Sequence, residues 1–344
     1  MSTQLLYFIT FALSLIATAL SLPILRRLIG AAFLDTPTPL KHHIGAIPAI
    51  GGCAIFIGLS ISLIFIRLTT QFPSGTLHSL RGILCGSAMI FALGMLDDLR
   101  KPKGLGILLK LCIQFLAVCC LLRYGVHIRL FQSTALCYLF TFLWVVGITN
   151  AFNLLDILDG LCVSQAVICT VGLIVISLPS EQIYVNFAAC ALLGACVGFW
   201  PYNHWTKCKS FLGDSGSTLL GFLIAALTMG ADYSEVSQVG FLAPLFIVAV
   251  AIFDTGFVSI IRLLHKQNPL RGSNDHIALR LQKKGFSANK ILIIFILAAV
   301  CCNVCAFAVI FVPACVSVSM YVLLLFLAAY AAYFLAHIPM EQHD

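Results

Sequence analysis

Five short polar runs interrupt an otherwise apolar chain of 344 residues. The first is Gly94, Met95, Leu96, Asp97 and Asp98, with Arg100, Lys101, Lys103 and Lys110 close behind. Adjacent carboxylates repel unless a cation sits with them. Mg²⁺ favours one or two carboxylates plus substrate phosphates, so this run reads as a diphosphate site. The second places Asn150, Asn153, Asp156 and Asp159 at spacings of three, ending at Gly160. Residues three apart share a helix face, so Asn150, Asn153 and Asp156 are expected to form one polar stripe, which Asp159 extends. Such a stripe in a span is expensive unless it faces a wet cavity. Hydrogen bonding between helices is the alternative for the two asparagines. The third is Phe211 to Gly221, in which Gly213, Ser215, Gly216 and Ser217 surround Asp214. Glycines admit a close ligand, and a helix start offers free N–H groups to phosphate. Helix capping by Asp214 remains open beside that reading. The fourth lies in the longest loop, about 265–288, with Arg271, Asp275, His276 and Arg280. Arg can grip phosphate oxygens in a fork. The fifth carries Asp35, Pro37, Lys41, His42 and His43.

The elements that hold these residues follow from composition. Hydrophobic residues are 61% of the chain and charged residues 10%, and the mean hydropathy is +1.04. A soluble domain is about a quarter charged. Some 210 apolar residues would furnish roughly ten or eleven spans of about 20 residues. The expected architecture is therefore an all-α polytopic membrane protein, a single domain over 1–344. Eleven spans are expected near 4–25, 47–67, 82–97, 105–123, 129–149, 162–179, 184–201, 215–231, 238–264, 289–312 and 314–337. The last two part only at Pro313, so ten or eleven is the expected count. A soluble enzyme, a disordered tail and a nucleic-acid-binding module are excluded. The net charge of +7 reads as the bias of membrane loops, not as affinity for nucleic acid. The fifteen cysteines read as small apolar residues of helix interiors.

Charge sorting orients the chain. With the N-terminus outside and alternating spans, sixteen of the twenty Lys and Arg fall on the inner side, including Lys207 and Lys209. Arg67, Arg81, Arg123 and Arg129 fall outside. The first apolar run has its positive charges, Arg26 and Arg27, behind it, as in a retained first span. Eight acids, all Asp, share the inner side: Asp35, Asp97, Asp98, Asp156, Asp159, Asp214, Asp254 and Asp275. Glu181, Glu235 and Glu341 lie elsewhere. Short carboxylates at the ends of apolar helices need cations. Bound Mg²⁺ with nearby Lys and Arg is the expectation, and capping is an alternative for Asp35 or Asp275 singly.

Taken together, "GMLDD" with Lys110 and Gln114, "NAFNLLDILDGL", "FLGDSGSTLLGF" and "DHIALRL" resemble the polyprenyl-phosphate N-acetylhexosamine-1-phosphate transferases, glycosyltransferase family 4. The resemblance runs from Asp35 to about Ser287, with motifs in family order. It implies a cytosolic-face active site in a bacterial inner membrane, with the C-terminus cytosolic. It implies transfer of N-acetylhexosamine 1-phosphate from a UDP-N-acetylhexosamine to polyprenyl phosphate, releasing UMP. Mg²⁺ is the implied cofactor, with Mn²⁺ as a substitute, and a homodimer is compatible. By matching positions, Asp97, Asp98 and Asp214 are the implied catalytic residues. Asp214, Asp98 and Asn153 are the implied metal ligands. Asn150, Asn153, Asp156, Asp159, His276 and Arg280 are implied for nucleotide and sugar, and Lys110, Lys41 and His43 for phosphate. Direct attack and an aspartyl-phosphate route are both compatible with these residues.

The chain departs from the family's pattern at three places, and the last bears on the sugar. Ile157 follows Asp156 where the family has Gly, and Leu40 precedes Lys41 where it has Arg. Ala278 and Leu279 follow His276 where the family continues with further His. The muramyl-pentapeptide branch, by resemblance, carries consecutive His here, so the GlcNAc-1-phosphate branch is expected and the phospho-N-acetylmuramoyl-pentapeptide transferases are the alternative. A secondary transporter would show internal repeats and mid-span acids, and neither is seen. An inactive scaffold would tolerate loss of the acids, which are all kept.

Overall fold

The computed structural model describes residues 2–35, 45–70, 74–101, 103–178, 183–205, 208–231, 233, 239–268, 275–338 and 340. Of the residues named above, Pro37, Leu40, Lys41, His42, His43, Glu181, Lys207, Glu235, Arg271 and Glu341 lie outside them.

Apolar runs without water must satisfy their backbone internally, which leaves the helix as the local solution. The chain is an all-α polytopic membrane protein, with one small departure: β1 (Leu34–Asp35) pairs antiparallel with β2 (Ile47–Pro48), Asp35 opposite Ile47. Two compact units form, Met1–Asp232 and Tyr233–Asp344. The first contains α1 (Thr3–Leu28), α2 (Gly51–Thr69), α3 (Ser74–Leu99), α4 (Ile107–Arg123), α5 (Thr134–Leu155), α6 (Leu161–Ser177), α7 (Ile183–His204) and α8 (Gly213–Thr228). The second contains α9 (Ala243–Ile247), α10 (Ala249–Leu264), α11 (Ile277–Lys283), α12 (Ala288–Phe311) and α13 (Ala314–Ala336).

Among the described residues, seven helices are long and apolar enough to cross a bilayer. The segment expected as one span near 238–264 is broken instead. Gly240–Ile247 and Ala249–Leu264 meet at 67° and together would make an eighth crossing. Pro313 does separate α12 from α13, as the N-cap of the latter. The expected stripe also ends sooner than its spacing implies. α5 stops at Leu155, and Asp156 and Asp159 lie in the turn before α6. The reason is tertiary. The Gly160 N–H donates to Asn203 Oδ1 at 2.7 Å, and the Asn203 amide donates to Ser210 O at 3.2 Å. An amide from α7 thus fixes the turn that local sequence would let run on as helix. All fifteen cysteines are described and unbridged, and Cys302 and Cys305 stand at CxxC spacing within α12.

In the first unit α8 is the buried centre, with α2, α3, α5 and α6 packed around it. Its first turn is held from two sides. The start of α2 is stitched to the residues before α8 by Gly51 N–H to Phe211 O (3.0 Å) and Gly52 N–H to Leu212 O (2.9 Å). On the α3 side, a Cβ at Gly94 would stand 2.4 Å from Ser215 Cα. Only glycine lets the two backbones approach that closely, and this brings the end of α3 to the start of α8.

A Gly94→Ala variant is expected to lose about 1–3 kcal/mol through overpacking, read as a lower thermal unfolding temperature in detergent. A variant that melts with the parent would contradict this contact.

Candidate active site

Asp97 and Asp98 occupy the last turn of α3, and both are buried. Asp214 stands in the first turn of α8. The helix start was expected to keep its N–H groups for a phosphate. Asp98 takes two of them. The Asp214 N–H donates to Asp98 Oδ1 and the Ser215 N–H to Asp98 Oδ2, each at 2.9 Å. The cap of α8 is therefore a carboxylate from another helix, which satisfies two donors and complements the positive end of the helix dipole. Gly213 makes room for it. Its φ is +76°, and a Cβ there would lie 2.6 Å from Asp98 Oδ2.

Two ammonium groups close the cluster. Lys101 Nζ lies 2.7 Å from Asp98 Oδ1 and 3.4 Å from Asp214 Oδ1. Lys110, from the first turn of α4, pairs with Asp97 and reaches Asp214 Oδ2 at 3.3 Å. Asp97 also accepts the Leu105 N–H. Each lysine thus spans one α3 carboxylate and Asp214. Burial alone would pull the Lys101 ammonium down, but Asp214 and Asp98 outweigh it and hold its pKa above the ordinary lysine value. An ammonium has three N–H donors and here two carboxylate partners, so each lysine keeps one for an anion.

The amide residues of α5 are placed differently from one another. Asn150 exchanges hydrogen bonds with buried Gln114 (3.0 and 3.3 Å) and donates to Val146 O at 2.8 Å. Its amide is closed on protein partners. Asn153 Oδ1 lies 2.8 Å from Ser217 Oγ and so ties α5 to α8. Asp159 forms an ion pair with Lys209, whose ammonium also sits 5.6 Å from the Phe211 ring centroid. Asp156 is half-buried, and its carboxylate has no hydrogen-bond or ion-pair partner among the described residues. Burial, opposed by Lys101 and aided by Asp214, Asp98 and Asp159, pushes its pKa up to about 7.

In the second unit, buried Asp254 of α10 takes His276 Nδ1 on Oδ2 (2.7 Å) and the Ile277 N–H on Oδ1 (2.9 Å). Arg280 was expected at the nucleotide and sugar. It is buried and spent on protein instead. Nε and Nη2 hold Asp275, and Nη1 donates to Leu335 O (3.2 Å) and Ile338 O (2.8 Å) at the end of α13. A guanidinium on the last carbonyls of a helix is favourable for the helix dipole. Of the expected phosphate set, Lys110 stands in the cluster, and Lys41 and His43 lie outside the described residues.

Sequence reasoning gives Lys209 and Ser217 no role of their own, counts Lys101 only among four cations behind the Asp97–Asp98 pair, and counts Asp254 only among the eight inner-side acids. Lys209 reads as an ordinary loop cation, and nothing in the sequence separates Lys101 from Arg100 and Lys103 beside it. Asp254 did carry a signal, an acid amid an apolar run, but its partner is twenty-two residues away.

The donor set suits a hard divalent cation. It offers carboxylate oxygens and an amide oxygen, the hard ligands such an ion prefers. Among the described residues no three His, Cys, Asp or Glu form a ready-made cage. Mg²⁺ does not require one, since it is commonly held by one or two carboxylates with waters and phosphates.

The family model for "Glycosyl transferase family 4" matches residues 80–232, a stretch that holds every member of the first unit's cluster. Over 302 residues the chain is 32% identical to a probable undecaprenyl-phosphate N-acetylglucosaminyl 1-phosphate transferase of Bacillus subtilis, covering 84% of this chain and 81% of the relative. It is 31% identical to a phospho-N-acetylmuramoyl-pentapeptide-transferase of Streptococcus agalactiae, covering 64% and 69%. A decaprenyl-phosphate N-acetylglucosaminephosphotransferase of Mycobacterium tuberculosis is 27% identical, covering 76% and 72%.

Because folding raises the Asp156 pKa to about 7, the folded chain holds that proton more tightly than the unfolded one between about pH 4 and about 7. The group's contribution to stability therefore falls as pH rises through that window. Asp156→Asn, which stays neutral, is expected to gain melting temperature over the parent from about pH 4 to about 7 and to hold that gain above it. A difference that does not change with pH would show the carboxyl to be solvated.

Proposed function

We propose, since this chain belongs to glycosyl transferase family 4, that it transfers N-acetylglucosamine 1-phosphate from its UDP-sugar to undecaprenyl phosphate, releasing UMP. The observation that carries this is the cluster of Asp97, Asp98 and Asp214 threaded by Lys101 and Lys110. In the transfer, an oxygen of the lipid phosphate bonds to the phosphorus that bears the sugar. The bridging P–O bond breaks, and UMP leaves with the electron pair. Charge neutralisation and alignment are what such a centre requires.

The residues divide that work. Lys101 and Lys110 hold phosphoryl oxygens with their remaining N–H donors. Asp97, anchored by Lys110 and the Leu105 N–H, orients the acceptor phosphate. Asp98 fixes the start of α8. Asp214 is the principal ligand for Mg²⁺, with Asn153 beside it, and Mn²⁺ would serve in its place. When bound, the ion supplies further neutralisation of the diphosphate. Asp156 and Asp159 serve the nucleotide end, and His276 the donor. Asn150, closed on Gln114, supports the α5 wall, and Arg280 holds α11 to the end of α13.

Eleven crossings complete the proposal, with the N-terminus outside and the site facing the cytosol of a bacterial inner membrane. This counts the short helices α4, α6 and α8 and the bent pair as spans. α8, at 16 residues, is about 24 Å long, and its burial within the bundle spares it the full bilayer thickness. The sixteen-against-four distribution of Lys and Arg supports the orientation. The pentapeptide enzyme is the second reading, favoured by the Streptococcus relative.

Purified protein with undecaprenyl phosphate and Mg²⁺ is expected to release UMP from UDP-GlcNAc and not from UDP-MurNAc-pentapeptide. Asp214→Asn is expected to lose turnover by at least about a hundredfold while keeping its melting temperature. Release from the pentapeptide donor alone would move the chain to the second reading, and a fully active Asp214→Asn would remove the metal assignment.

A further inference from the structure

Asp254 lies in an apolar helix with 1% of its surface exposed. A carboxylate so placed is costly unless its oxygens are satisfied. It has two partners in adjacent residues, the ring of His276 and the backbone N–H of Ile277. A carboxylate facing an imidazole nitrogen at 2.7 Å requires a proton on that nitrogen. The ring is thereby held as the Nδ1–H form, and Nε2 is the nitrogen left to work. Nε2 has no partner among the described residues.

Two features separate orientation from mere anchoring. α11 is already tied down without the histidine, because Arg280 binds Asp275 on one side and the Leu335 and Ile338 carbonyls on the other. Its guanidinium also lies 5.2 Å from the Phe257 ring centroid in α10. The Ile277 N–H alone could be met by any neutral acceptor, such as an asparagine oxygen. What an anionic acceptor adds is control of the imidazole.

We propose that Asp254 is a positioning residue. It fixes the tautomer and rotamer of His276, so that Nε2 meets the phosphorylated sugar donor in a single geometry. The proposal rests on the assignment of His276 to the donor made above.

Two measurements test it. Protein labelled with ¹⁵N-histidine in nanodiscs is expected to show a His276 signal of the Nδ1–H form, identified by its loss in His276→Gln. Asp254→Asn is expected to redistribute that signal between the two tautomers. In UMP-release kinetics, His276→Gln and Asp254→Asn are each expected to lower kcat/KM by roughly tenfold or more, the scale set by loss of the carboxylate partner of a metal-binding histidine. The double variant is expected to fall no further than His276→Gln alone. Asp254→Glu is expected to recover part of the loss, and it replaces Asp254→Asn should that variant fail to fold. Independent losses that multiply in the double variant, or an unchanged ring spectrum in Asp254→Asn, would overturn the proposal. If the parent releases no UMP, the reaction assigned above fails, and the nitrogen spectra alone then decide whether Asp254 orients the ring.

Discussion

Two backbone N–H groups at the start of α8 donate to the two oxygens of Asp98, and the rest of the first unit's site is arranged around that contact. An apolar helix starting inside a protein must find partners for its first donors. Asp98 supplies them from the end of α3, and in doing so sets where Asp214 stands. The contact needs α3 and α8 to touch backbone to backbone, which Gly94 permits. It also needs a start residue without a side chain, which Gly213 provides.

The electrostatics follow from the same arrangement. Three carboxylates brought together at a helix junction would repel strongly in a poorly solvated place. Lys101 and Lys110 each bridge one α3 carboxylate to Asp214, so the cluster is held together by its own cations before any ligand arrives. The arrangement suits a reaction that brings two phosphorylated substrates together. In the proposed reading the lysines would grip phosphates, and Asp214 would take up a divalent ion. Asp156, at the edge of this cluster with no ion-pair partner among the described residues, is the carboxylate least compensated by the protein itself.

Much of this was legible in the residues. Composition and apolar runs determine the membrane class and most helices, because a span can be read from twenty consecutive residues. The polar runs mark the site, because acids are expensive in such a chain and their cost is visible locally. What was not legible depends on partners distant in sequence. The end of α5 at Leu155 depends on Asn203 of α7. The capping of α8 depends on Asp98, more than a hundred residues earlier. Arg280 resembles a phosphate grip, yet it binds carbonyls at the far end of α13. Lys209 could not be told from other loop cations, nor Lys101 from the cations beside it, since a sequence shows the charge and not its partner.

In the proposed reading two jobs that neighbouring aspartates would otherwise share are separate: Asp98 sets the position of α8, and Asp214 would hold the ion. Mn²⁺ binding, followed by electron paramagnetic resonance on the purified protein, tests that separation most directly. The account predicts that Asp214→Asn loses the bound-ion signal, while Asp98→Asn keeps a weakened one together with a lowered melting temperature. Loss of the signal in Asp98→Asn with stability intact, or its survival in Asp214→Asn, would contradict it.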